Sequence, residues 1–141
     1  MKRIVFFSIM FSFILSSLSC EAQNKKTQKT TTTVGYKIEV YYFHYSRRCI
    51  TCNAVENVTK EALAEMYPTQ SKKGQIKFAS INLDNKENDA IAKKCHSEGQ
   101  SLLFMAKGKR IDLTDKGFMY ARSTPEKLKA EVKKTIDSLL K

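Results

Sequence analysis

A pair of cysteines placed between a predicted strand and a predicted helix constrains the fold of this chain more than any other feature. The segment 47–52 reads RRCITC, so Cys49 and Cys52 are separated by two residues. Residues 36–44 (YKIEVYYFH) are rich in β-branched and aromatic side chains and are partly apolar on both faces, which is typical of a strand covered on both sides. After Cys52, apolar residues recur at helical spacing until Pro68, which predicts a helix of about four turns.

The remaining segments predict how the domain is completed. Residues 75–83 (QIKFASINL) have the composition of a second strand, and residues 87–94 predict a short helix. Residues 101–106 (SLLFMA) and 110–113 predict two strands of a hairpin, with Gly108 in the turn. A last helix is predicted to begin with Thr124 as N-cap and to bury four residues, Leu128, Val132, Ile136 and Leu139. This order of strands and helices predicts an α/β fold.

The first 22 residues have the pattern of a signal peptide. A basic start, Met1-Lys2-Arg3, precedes an apolar run over residues 4–18, which is shorter than the roughly 20 residues that span a bilayer. Two processing sites remain open: cleavage before Cys20, which would carry a lipid, or cleavage before Gln23. We therefore expect an exported protein, periplasmic or held at the membrane by a lipid.

The segment that follows predicts a linker and leaves one domain. Residues 23–34 (QNKKTQKTTTTV) are dominated by Thr and Lys and lack apolar periodicity, which is typical of a solvated tether. Residues 35–141 then form a single domain. The chain has a formal net charge of +11, but acidic residues alternate with the basic ones along the helices, which favours a solvated surface. We expect no nucleic-acid partner for an exported protein.

The position of the two cysteines predicts a reactive dithiol. Cys49 would lie at a helix N-terminus, where unpaired N–H groups and the helix dipole stabilise a thiolate, so we expect its pKa to be lowered. Arg47 and Arg48 would add positive charge beside this sulfur, and His44 at the strand end is a candidate for moving a proton. Cys52, nearly one turn further along and more shielded by the first turn of the helix, would form a disulfide with Cys49.

Two other interpretations of these cysteines remain open. A purely structural disulfide would close a very short loop and would restrict the unfolded chain little. A metal site would use Cys49, Cys52, Cys95 and His96 as a set of three sulfurs and one imidazole, with zinc or a soft ion such as Cu(I) as the metal. Cys95 also follows a helical apolar pattern, which favours a small buried side chain over a third redox thiol.

The order of elements around the CxxC pair resembles the thioredoxin-like superfamily, which implies a mixed four-stranded sheet flanked by helices. Within it, the segments 42–44 (YFH), 48–52 (RCITC), 81–84 (INLD) and 100–103 (QSLL) are similar to small exported bacterial proteins of the ArsF family, described as nitrophenyl compound nitroreductase subunits. The resemblance implies a thiol–disulfide oxidoreductase in which Cys49 attacks and Cys52 resolves, without a bound cofactor. Its partners would be exported proteins with thiols or disulfides, or a membrane redox protein.

The chain departs from ordinary thioredoxins at two places. The Trp before the cysteines and the Gly-Pro between them are replaced by Arg48 and by Ile50-Thr51. The cis-proline that the superfamily carries beside its dithiol is replaced by Gln100-Ser101. In the superfamily that proline binds substrate backbone and blocks metal. Its loss leaves open a second function, a non-enzymatic metal-binding or partner-docking module on the same scaffold.

Overall fold

The computed structural model describes residues 38–141, and the predicted signal peptide, Cys20 and the linker lie outside the described residues. Two helices follow the first strand before the second strand begins, and two more follow the hairpin. The elements in chain order are β1 (Ile38–His44), α1 (Ile50–Met66), α2 (Pro68–Lys72), β2 (Ile76–Asn82), a 3-10 turn (Lys86–Asn88), α3 (Asp89–Lys94), β3 (Ser101–Ala106), β4 (Lys109–Asp112), α4 (Thr114–Tyr120) and α5 (Pro125–Leu140).

The four strands form one mixed sheet in the order β2-β1-β3-β4. Strand β1 is central: it pairs with β2 in parallel, with Val40 opposite Phe78, and with β3 in antiparallel orientation, with Val40 opposite Phe104. Strands β3 and β4 form the hairpin, whose turn contains Gly108 at a φ of 77°. The prediction of an α/β fold with a mixed four-stranded sheet flanked by helices is therefore confirmed.

Each face of the sheet carries its own apolar cluster because successive strand side chains point to opposite faces. Val40 and Tyr42 of β1 face the larger cluster, which helices α1, α4 and α5 complete with residues such as Val55. Tyr41 and Phe43 face a smaller cluster that α3 covers. The predicted buried face of α5 is confirmed by its four completely or almost completely buried residues, Leu128, Val132, Ile136 and Leu139.

The structure refines the sequence prediction at three places. Pro68 follows the end of α1 as predicted, but it also opens the short helix α2, since proline fits the first position of a helix. Thr124 occupies the N-cap position of α5 and makes no side-chain capping hydrogen bond. Helix α4 was not predicted, because Gly117 interrupts its sequence and the segment has no clear helical apolar pattern. None of the helices within residues 38–141 is long and apolar enough to cross a membrane.

Candidate dithiol site

The two cysteines lie where the central strand ends and the longest helix begins. Strand β1 ends at His44, and Cys49 is the N-cap of α1, with extended backbone angles of φ −77° and ψ 165°. The Cys52 N–H donates to the Cys49 sulfur over 3.1 Å, so the sulfur takes the place that an Asp or Ser oxygen usually has at a helix N-terminus. A thiolate at this position would receive a hydrogen bond and the positive end of the helix dipole.

Cys49 and Cys52 form a disulfide, and their Cα atoms are 5.1 Å apart. Their accessibilities differ strongly: Cys49 is exposed, whereas Cys52 is only 2% exposed. A sulfur atom of another molecule can therefore reach the Cys49 sulfur, whereas the surrounding protein shields the Cys52 sulfur from it. The prediction of an accessible first cysteine and a shielded second cysteine agrees with this arrangement.

The loop before Cys49 is held by the end of strand β2. The Ser46 backbone N–H donates to Asp84 Oδ2 over 2.7 Å, and Asn82 Nδ2 donates to Ser46 Oγ over 2.9 Å. The Leu83 N–H donates to the His44 carbonyl over 2.7 Å. Hydrogen bonds from Ser46 lower the pKa of the Asp84 carboxyl group, so this anchor stays ionised at neutral pH. The parallel pairing of β1 and β2 is thus extended into the loop that presents the dithiol.

The Arg48 side chain forms an ion pair with a buried carboxylate of the same domain, that of Glu56. Its Nη2 atom lies 2.5 Å from Glu56 Oε2 and also donates to the Cys52 carbonyl over 3.4 Å. The guanidinium lies over the ring of Tyr42, with 5.5 Å between its carbon and the ring centroid. The sequence interpretation placed the Arg48 charge beside the attacking sulfur, but in the structure Glu56 is its ion-pair partner. Arg47 is exposed and has no ion pair within residues 38–141.

Glu56 is the functional-site residue that the sequence reasoning missed. Its side chain is 8% exposed and pairs with both Arg48 and Lys60. Burial by itself raises the pKa of Glu56, but the hydrogen bonds from Lys60 and Arg48 outweigh it and leave that pKa below its ordinary value. The signal was present in the spacing, since Glu56 lies one helical turn after Cys52 and one turn before Thr59, on the buried stripe of α1.

Gln100 lies beside the disulfide as predicted, and Ser101 follows it as the first residue of β3. Gln100 Oε1 is 3.7 Å from the Cys52 sulfur. Ser101 is buried, and its hydroxyl is 2.8 Å from that of Ser97, which donates to the Gly99 carbonyl over 2.9 Å. No cis peptide bond occurs within residues 38–141, so this loop is trans throughout. Gln100 and Ser101 also line an open, polar pocket of about 510 Å³.

The other candidate residues do not reach the dithiol. The His44 ring contacts the Tyr45 carbonyl through Nδ1 at 2.9 Å and stacks on Tyr42 with 5.9 Å between centroids. Cys95 is 1% exposed and belongs to the cluster under α3, on the face of the sheet opposite to α1. Burial raises the pKa of its thiol. His96 is exposed, with a φ of 51°.

The four residues of the predicted metal set are therefore not brought together. Within the part of the chain that the structure describes, no group of three or more His, Cys, Asp or Glu side chains is placed to hold a metal ion. The physical reason is that α1, which carries Cys52, packs on one face of the sheet, whereas Cys95 belongs to the cluster on the other face.

Comparisons with known proteins add no assignment. A scan against protein-family models and a search of curated proteins found no match to this chain.

Proposed function

We propose that this chain is an exported thioredoxin-like thiol–disulfide oxidoreductase that acts through Cys49 and Cys52. The observation that carries the proposal is the asymmetric pair at the start of α1: an exposed Cys49 sulfur that accepts the Cys52 N–H, bonded to a buried Cys52. The sheet order β2-β1-β3-β4, with the pair following the central strand, supports a thioredoxin-like fold.

The chemistry follows from the difference between the two sulfurs. In the reduced protein, the Cys49 thiolate attacks a partner disulfide and forms a mixed disulfide, and the partner's other sulfur leaves. Cys52 then attacks the Cys49 sulfur, which releases the partner as a thiol and restores the internal disulfide. In the opposite direction, a partner thiolate attacks Cys49 of the oxidised protein. Exported proteins with thiols or disulfides, or a membrane redox protein, are the partners that this exchange requires.

The residues beside the dithiol differ from those of the superfamily that this chain resembles. In the superfamily that this chain resembles, a cis-proline there binds substrate backbone, whereas here the position is filled by Gln100 and Ser101. The Gln100 side chain contacts Cys52 directly. We therefore expect a partner range that differs from that of ordinary thioredoxins, while the exchange at Cys49 stays the same.

Trapping of the mixed disulfide tests the proposal. A Cys52→Ser variant is expected to accumulate disulfide-linked adducts with exported proteins, because its Cys49 attacks and nothing resolves the product. The adducts are separated by non-reducing electrophoresis and disappear on reduction. The wild-type protein is expected to reduce insulin in the presence of a dithiol donor.

Two matched variants complete the test. Cys49→Ser should trap no adducts, because Cys52 is shielded. Cys95→Ala removes a buried thiol on the other face of the sheet, so it should leave insulin reduction unchanged in the wild type and adduct trapping unchanged in the Cys52→Ser background. If Cys52→Ser traps no adducts and the wild type reduces no insulin, the oxidoreductase function is wrong.

A further inference from the structure

Among the described residues, the only side-chain polar atom at hydrogen-bonding distance from either sulfur of the disulfide belongs to Gln100. Its Oε1 atom lies 3.7 Å from the Cys52 sulfur, and the amide has no other hydrogen-bond partner within residues 38–141. The Cys52 sulfur has no further side-chain contact of this kind there. The Gln100 amide is therefore available to form a hydrogen bond with Cys52 alone.

The backbone that carries Gln100 is fixed on both sides. The Ser97 hydroxyl donates to the Gly99 carbonyl on one side and is 2.8 Å from the Ser101 hydroxyl on the other. The Ser97 N–H also donates to the Ala92 carbonyl of α3 over 2.9 Å. These contacts place the amide against Cys52 while leaving the side-chain torsions of Gln100 free to turn.

An amide group can form a hydrogen bond with a cysteine sulfur in either of its protonation states. A Cys52 thiol can donate its proton to Oε1, whereas a Cys52 thiolate has no proton and accepts from the Nε2 hydrogens. The two ends of the amide occupy nearly the same volume, so rotation by half a turn exchanges acceptor for donor without new space. A carboxylate in the same place would accept only, and it would oppose a thiolate.

We propose that Gln100 is a catalytic residue of the resolving step, in which its amide stabilises the Cys52 thiolate that attacks the mixed disulfide. This inference rests on the proposed oxidoreductase function. The Cys52 S–H gives its proton to solvent, the amide turns its N–H toward the thiolate, and the Cys52 sulfur bonds to the Cys49 sulfur. The Cys49–partner bond breaks, and the partner thiolate leaves and takes up a proton. The partner disulfide is reduced and the Cys49–Cys52 pair is oxidised.

The charged groups near Cys52 do not provide such a hydrogen bond to its sulfur. Glu56, one turn along α1, is held by Arg48 and Lys60 at 2.5 Å each. The Arg48 guanidinium donates to the Cys52 carbonyl and not to its sulfur. The neutral Gln100 amide is therefore the group that can donate an N–H to the Cys52 sulfur once that sulfur becomes a thiolate. Hydrogen bonds to charged groups are among the stronger ones.

The test measures both chemical steps in one reaction. In a Cys95→Ala background only Cys49 and Cys52 remain among the described cysteines, and the fully reduced protein is mixed with excess dithionitrobenzoate. The first phase, attack by Cys49, depends on reagent concentration. The second phase, attack by Cys52 on the mixed disulfide, does not, and its pH midpoint reports the ionisation of Cys52.

Gln100→Met keeps the length of the side chain and removes both hydrogen-bonding ends. We expect the second phase to slow about tenfold and its pH midpoint to rise, with the first phase changed by about twofold or less. Gln100→Glu keeps the shape and removes the N–H donor, so it should slow the second phase further. Gln70→Met, the same change at a half-buried glutamine in α2, is the control and should leave both phases unchanged.

The two claims fail in different ways. A wild-type protein whose Cys49 adduct is never resolved overturns the oxidoreductase proposal itself. A wild type with two normal phases, together with a folded Gln100→Met or Gln100→Glu protein whose second phase keeps its rate and pH midpoint, overturns the role of Gln100 alone.

Discussion

The buried ion pair under the dithiol loop gives a prediction with a defined magnitude. Glu56→Gln removes the carboxylate charge, so Arg48 and Lys60 both lose their ion pair with residue 56. Breaking a buried pair by removing one partner costs about 3–5 kcal/mol. The side chains of Arg48 and Lys60 are 21% and 51% exposed, so both recover part of their hydration, and we expect a loss of about 2 kcal/mol in the free energy of unfolding.

Urea unfolding followed by circular dichroism measures this loss, and thermal unfolding should show a decrease of roughly 10 °C for a domain of about 100 residues. The loss must depend on pH. Because the folded-state pKa of Glu56 lies below its ordinary value of 4.5, its stabilisation is present above that value. It disappears as the pH falls through the lowered folded-state pKa, so wild type and variant should converge in acid.

Glu65→Gln is the matched control on the same helix. Glu65 pairs with Lys129, but its side chain is 58% exposed, so its loss should cost less than about 0.5 kcal/mol. Arg48→Met should cost less in the Glu56→Gln background than in the wild type, because the two residues share one interaction. Equal losses for Glu56→Gln and Glu65→Gln, or a Glu56→Gln loss that persists unchanged in acid, would refute the reasoning.

Three further predictions concern the core. Tyr67→Phe removes the hydroxyl that donates to Asp137 Oδ1 over 2.6 Å and should cost about 1.5 kcal/mol in urea unfolding; an unchanged midpoint would contradict it. Gly117→Ala would place a Cβ 3.1 Å from a methyl group of the fully buried Val55, so overpacking of about 1–3 kcal/mol should exceed the helical gain of about 1 kcal/mol and lower the melting temperature. Cys95 should react with iodoacetamide only at the rate of unfolding, since it is 1% exposed and burial raises its pKa; fast labelling of native protein, measured by mass spectrometry, would show otherwise.

The strands and the position of the dithiol could be predicted from the sequence because both depend on local patterns. The alternation in residues 36–44, the cysteine spacing and the Gly108 turn each constrain their own neighbourhood, and β1, α1 and the hairpin appear where these patterns predict them. The described part of β1 begins at Ile38, so Tyr36 and Lys37 lie outside the described residues.

The partners of individual side chains were harder to predict because they depend on tertiary packing. Arg48 was interpreted from its neighbour Cys49, but the loop geometry directs its guanidinium toward Glu56, eight positions along the chain. Likewise, Cys95 and His96 were combined with the dithiol from residue type alone. The side of the sheet on which each residue lies follows from the fold, and only that information separates Cys95 from Cys52.

The central position of β1 has a consequence for the mobility of the dithiol. Residues Val40–Phe43 are paired on both sides, with β2 and with β3, so their amide hydrogens should be among the slowest in the protein to exchange with solvent. Cys49 follows this strand by only five residues, through a loop that Asp84 holds. The most accessible cysteine of the described chain is therefore attached to a strand that should be among the last to open, so local opening at the sheet edges leaves the attacking sulfur in place.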